Sequence, residues 1–114
     1  MFYYIGDWLN DLQHGKGKIC EKNGNILYKG EFIKDKMEGT GTLYFEEGGY
    51  YTGKFKGGKL HGKGKLFSKE GMILYELNYD NDKLIRKLKK NNNNYNNYIE
   101  DILYYSTYGK SRRL

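Results

Sequence analysis

Tyr51-Thr52-Gly53-Lys54-Phe55, followed after six residues by Gly62-Lys63-Gly64, sets the pattern of the whole chain. The pattern stands 23 residues earlier as Tyr28-Lys29-Gly30-Glu31-Phe32 with Gly39-Thr40-Gly41. It stands another 24 residues earlier as Tyr4-Ile5-Gly6-Asp7-Trp8 with Gly15-Lys16-Gly17. A worn copy, Tyr75-Glu76-Leu77-Asn78-Tyr79, begins 24 residues after Tyr51. A fixed period of this length is the mark of a repeat architecture.

Within each copy, Tyr, Gly and the second aromatic fall at i, i+2 and i+4, the two-residue period of a strand, so all three point to one face. Gly between two large rings leaves a notch that a neighbouring ring can fill. The polar stretches 10–14 and 56–61 read as loops. Second strands are predicted over 17–21, 41–45 and 64–67. Turns at Asn23-Gly24, Gly48-Gly49 and Glu70-Gly71 return the chain to the next copy, Asn-Gly being a strong hairpin signal. Each copy is thus a β-hairpin. Stacked hairpins give an all-β fold, an elongated single-layer antiparallel sheet held by nearest-neighbour contacts. Gly39 and Gly62 are expected to resist substitution more than Gly57.

The third copy resembles the MORN repeat (membrane occupation and recognition nexus), whose form is close to Y-x-G-x-W-x-x-G-K-x-H-G-x-G. Tyr51, Gly53, Phe55, Gly58, Lys59, His61, Gly62 and Gly64 carry the likeness. The first copy departs at Asp11 and Leu12, the second at Asp35 and Glu38, and the fourth has lost every glycine. The resemblance covers residues 4–82 and says little of the rest. It implies a scaffold of cytoskeletal or membrane-associated structures, or the recognition portion of a larger enzyme.

The organisation follows. Residues 1–82 form the repeats, with units at 4–27, 28–50 and 51–74 and a degenerate cap at 75–82. Residues 83–97 are a basic segment and an Asn-rich linker. Residues 98–114 are a short helix and a basic tail. Leu84, Ile85 and Leu88 make a narrow apolar stripe that predicts a basic helix over 82–90, with Asp82 as its N-cap. Ile99, Ile102 and Leu103 predict a second short helix.

Charge divides the chain unevenly. Residues 1–82 hold 12 Lys against 12 Asp plus Glu, so the net +6 lies entirely in residues 83–114. One cysteine, Cys20, excludes an internal disulfide framework. No apolar run approaches the roughly 20 residues that span a bilayer, and Asp7 interrupts any leader-like start. The expectation is an intracellular, cytoplasmic protein at cytoskeletal or membrane-associated structures.

Catalytic readings fail on the residues. His14 and His61 occupy the same repeat position and lack a partner at nucleophile or metal-ligand spacing. Gly57–Lys63 echoes a phosphate loop, but Gly64 replaces the Ser or Thr that binds magnesium. No catalytic residue, metal or cofactor is expected.

Two binding surfaces remain. Tyr4, Trp8, Tyr28, Phe32, Tyr51, Phe55, Tyr75 and Tyr79 make two aromatic rows, expected both to hold the repeats together and to line a groove for a partner peptide or helix. Lys54, Lys56, Lys59, Lys63 and Lys65 adjoin Lys83, Arg86, Lys87, Lys89 and Lys90, forming a candidate anionic-lipid site. Nucleic acid is disfavoured because no recognition motif accompanies the charge. The apolar first strand leaves an open edge at which a homodimer can form.

Overall fold

A computed structural model describes residues 1–90 and 98–100; for Lys90 and 98–100 only the backbone is described. The strands are β1 Phe2–Leu9, β2 Leu12–Glu21, β3 Ile26–Ile33, β4 Lys36–Tyr44, β5 Tyr50–Lys56, β6 Lys59–Phe67, β7 Ile73–Asp80, β8 Lys83–Lys90 and β9 Tyr98–Glu100. They form one antiparallel meander in sequence order. No helix occurs among the described residues. The molecule is elongated, 48 × 27 × 25 Å.

The stretches 10–14 and 56–61 are not loops. Asn10-Asp11, Lys34-Asp35, Gly57-Gly58 and Asn81-Asp82 each carry two positive φ values. Such two-residue turns match the right-handed twist of the flanking strands. The second strands therefore begin at residues 12, 36, 59 and 83. These turns also clamp one repeat to the one before. The Asp35 carboxylate accepts the Gln13 N–H at 2.7 Å, and the Asp35 N–H donates to the Gln13 carbonyl at 3.0 Å. Asp82 repeats the contact with Leu60 at 2.9 and 2.8 Å. Gly58 has no side chain, so only its N–H reaches Met37, at 3.0 Å, and the Glu38 carboxylate takes the Gly57 N–H instead, at 2.7 Å.

The basic segment 82–90 is a strand, not a helix. Asp82 is the second residue of the turn rather than a helix cap, and β8 pairs with β7 from Asp80↔Lys83 to Tyr75↔Lys89. The open edge of β7 offers a full row of backbone partners, which outweighs a three-residue helical stripe. The fourth copy is thereby a complete hairpin. Its bulge is shorter than the others: only Ile85 and Arg86 lie between Leu84 and Lys87, where the third copy has His61, Gly62 and Lys63 between Leu60 and Gly64, and neither takes positive φ. Of the second predicted helix, Tyr98–Glu100 pair as β9 with Lys90, Lys89 and Leu88. The remainder lies outside the described residues.

Side-chain rows run from β1 to β8. One reads Tyr4, Ile19, Tyr28, Leu43, Tyr51, Leu66, Tyr75 and Lys89. Beside it runs a row of six glycines, Gly6, Gly17, Gly30, Gly41, Gly53 and Gly64, ending in Leu77 and Lys87. Each of Tyr4, Tyr28 and Tyr51 lies across the glycine two residues on and the glycine paired with it: a Cβ at Gly41 would overlap the Tyr28 ring, and one at Gly64 the Tyr51 ring. The glycine row is the bed on which the tyrosines rest. Leu77 fills that bed in the fourth copy and is itself buried.

Candidate functional site

The aromatic face builds itself from these rows. The Tyr4 hydroxyl donates to the Asp7 carbonyl at 2.7 Å, and Tyr28 to the Glu31 carbonyl at 3.0 Å. Each of these two, and Tyr51, meets two rings edge-on. Tyr4 contacts Trp8 and Phe32, both with centroids 5.0 Å away. Tyr28 contacts Phe32 at 5.2 Å and Phe55 at 5.1 Å. Tyr51 contacts Phe55 at 6.0 Å and Tyr79 at 5.8 Å. All six pairs are near-perpendicular, the geometry that ring quadrupoles favour. Burial pushes the Tyr28 hydroxyl well above the ordinary phenol range, against the opposing effect of its hydrogen bond to the Glu31 carbonyl. Tyr4 is raised too, first by burial and then by the Asp7 carboxylate.

The eight rings expected along the groove do not share one environment. Tyr28, Phe32, Tyr51, Phe55 and Tyr79 are buried, and Tyr4 and Tyr75 are half-buried. Trp8, the largest, is 58% exposed. In the fourth copy Leu77 denies Tyr75 its glycine bed, and the Lys87 ammonium sits 3.9 Å from the Tyr75 ring centre. The rings form the floor of the face.

What opens above that floor is a cleft of about 260 Å³ lined by Phe2, Ile19, Leu27, Met37 and Leu60, with Tyr28, Leu43 and Phe55 beneath and Gly58 and Asp82 at one end. Phe2 lies on β1 and Asp82 follows β7. In a flat sheet six strand spacings of about 4.8 Å would separate them. One small cleft reaches both because the sheet coils, making the aromatic face concave. Of the lining residues, sequence reading singled out Tyr28 and Phe55 as groove rings, Gly58 for the repeat likeness and Asp82 as a helix cap. Ile19, Met37, Leu43 and Leu60 sit on second strands, in register with the consensus rings, and alternation along those strands was the signal that marks them.

The basic residues divide between the faces. Lys54, Lys56, Lys59, Lys63, Lys65, Lys83 and Arg86 fall on the convex face, among Thr40, Thr52, Glu76, Asn78 and Asp80. Lys87 and Lys89 fall on the concave one, in register with Leu77 and Tyr75. Leu84 and Leu88 also point to opposite faces, opposite Tyr79 and Glu76. The apolar stripe expected of Leu84, Ile85 and Leu88 is therefore dispersed. A further cluster, unmarked in the repeat pattern, lies on the convex face: Tyr50 stacks on Phe67 at 4.7 Å and meets Tyr44 at 6.0 Å.

The histidines take structural places. His61 Nδ1 accepts the Asn81 N–H at 3.3 Å and lies 3.7 Å from the Asp80 carboxylate, tying the third copy to the last turn. His14 Nδ1 is buried without a hydrogen-bond partner. Gly57–Lys63 forms a turn and strand, with no helix to receive a phosphate. No group of His, Cys, Asp or Glu among the described residues is arranged to hold a metal.

Comparison with known proteins agrees with this geometry. The MORN repeat family model matches residues 4–26, 28–50 and 51–72. The chain is similar to MORN repeat-containing protein 3 of Xenopus laevis, 39% identical over 44 residues. That match covers 39% of this chain and 18% of the relative's length.

Proposed function

This chain belongs to the MORN-repeat family, and from that premise we propose a non-enzymatic adaptor that holds an apolar peptide or helix of a partner protein on its concave face. The observation that carries the reading is the cleft. It is apolar, it crosses several repeats, and its floor of interlocked rings is already rigid, so little ordering cost falls on this side of a complex. The consensus tyrosines then act as support together with Leu43, Phe55 and Leu60, and contact falls to Phe2, Ile19, Leu27 and Met37 around them. The test is selection of displayed peptides on the intact chain, repeated on Met37→Glu. Enriched peptides should carry spaced apolar anchors and lose binding to Met37→Glu by about tenfold or more, measured at a temperature where the variant is folded. Equal binding to both proteins, or no enrichment, defeats the reading.

A second reading follows from the seven cations that share the convex face: a peripheral adaptor on anionic phospholipid. Each cation near an anionic leaflet contributes about 1 kcal/mol, and exposed charges are screened beyond roughly 8–10 Å. Lys63→Glu with Lys65→Glu should abolish co-sedimentation with phosphatidylserine vesicles, and added salt should do the same to the parent. Binding that survives both removes the convex face as the lipid site.

A further inference from the structure

We propose that β1 is a self-recognition edge, along which two copies of this chain pair antiparallel and continue one sheet across a twofold axis. Among the described residues no strand covers the outer side of β1. An uncovered strand offers a row of unpaired N–H and C=O groups, which proteins ordinarily blunt with Lys, Pro or inward-pointing charge. Phe2–Leu9 has no Lys and no Pro. Its one charge, Asp7, is turned to the Lys16 N–H at 3.2 Å. Phe2, Ile5, Trp8 and Leu9 are each more than half exposed, at 63, 53, 58 and 51%.

The aromatic zipper says what the edge lacks. Phe32 is held between Tyr4 and Tyr28, and Phe55 between Tyr28 and Tyr51. Trp8 has Tyr4 on one side and no ring on the other among the described residues. An antiparallel pair with Ile5 on the twofold axis sets Phe2 of one copy opposite Trp8 of the other. It sets Tyr4 opposite Gly6. Residues paired in this register have the same parity, so both concave faces stay on one side. Phe2 also lines the cleft, so the two clefts open beside the same axis.

The far edge explains why the occupant is β1 of a second copy. β8 carries Lys83, Arg86, Lys87 and Lys89, with Lys87 where the glycine row would continue, and β9 covers it from Leu88 to Lys90. It lacks the bed that a β1-type strand rests on in the other repeat junctions, so head-to-tail stacking is disfavoured. Isologous pairing of β1 consumes both apolar edges and closes at two.

Sedimentation equilibrium of the full chain, from micromolar to submillimolar, should show a discrete monomer–dimer equilibrium. Ile5→Lys places two like charges face to face and should raise the dissociation constant about tenfold or more, whereas Leu74→Lys, at an exposed position of interior strand β7, should leave it unchanged. Because Ile5→Lys can also loosen the first hairpin, a second measurement uses Ile5→Cys in a Cys20→Ala background with a short bis-maleimide. Covalent dimers should form from position 5 and not from Leu74→Cys. A monomer throughout, a dimer indifferent to Ile5→Lys, equal cross-linking from both positions, or a ladder of larger species would each overturn the proposal.

Discussion

Gly41→Ala should destabilise the protein more than Gly39→Ala, Gly57→Ala or Gly62→Ala. Nothing in the consensus separates Gly39 from Gly41, but their surroundings differ. Gly39 has a φ of +63°, and a Cβ there meets the Glu31 side chain, whose far end can move. At Gly41 a Cβ overlaps the Tyr28 ring, which is fixed by its hydroxyl bond and by Phe32 and Phe55. Overpacking of a rigid core costs about 1–3 kcal/mol and occasionally more. With the ring unable to withdraw, the upper end applies, roughly 3 kcal/mol, or about 12–24 °C in midpoint for a domain of this size. Gly57→Ala is the control. Its Cβ meets open space, leaving only a strained φ of +59°, which costs about 1–2 kcal/mol. Gly62, with a φ of +85° and only the Lys54 stem at 3.4 Å, should resemble Gly57. Tyr28→Leu combined with Gly41→Ala should cost less than the two changes summed, since the clash is shared. A Gly41→Ala protein that melts with Gly57→Ala would show that the tyrosines do not rest on the glycine row.

Phe32→Ala and Trp8→Ala should differ by several kcal/mol although the two residues are equivalent in the repeat. Phe32 is 1% exposed and joins the first two tyrosines. Removing it should cost about 3–5 kcal/mol, a large part of a stability that for most domains totals about 5–15. Trp8 has one ring contact and is 58% exposed, so its truncation should cost about 1 kcal/mol in the dilute monomer. Denaturant midpoints at low concentration measure both, and matched losses would contradict the burial difference. At concentrations where copies pair, Trp8→Ala should also weaken the dimer, so the two effects separate by dilution.

The repeat, its period, the all-β architecture and the strand assignment of Tyr-x-Gly-x-aromatic were legible because they rest on alternation, a local property of the chain. The neutral body and basic tail were legible for the same reason. The type I′-like turns were written in the sequence as well. Asn10-Asp11, Lys34-Asp35, Gly57-Gly58 and Asn81-Asp82 recur at the repeat spacing, and Asn81-Asp82 already marked a fourth hairpin where a helix cap was read. Lys34 gives little warning of a positive φ, which its neighbours impose.

Three things needed the tertiary structure. The first is that Lys83–Lys90 is a strand: a short stripe of Leu84, Ile85 and Leu88 suits either period, and only the unpaired edge of β7 decides between them. The second is which glycine of each Gly-x-Gly is indispensable. Register across strands places Gly17, Gly41 and Gly64 under a tyrosine, whereas Gly15, Gly39 and Gly62 serve a bulge. The third is where the groove lies. The consensus rings were visible from the first residues, yet coiling of the sheet buries most of them and hands the accessible cleft to Phe2, Ile19 and Met37. The sequence determines what each strand presents to its neighbour. Burial depends on how far successive strands twist together, a sum over the whole array that no single repeat contains.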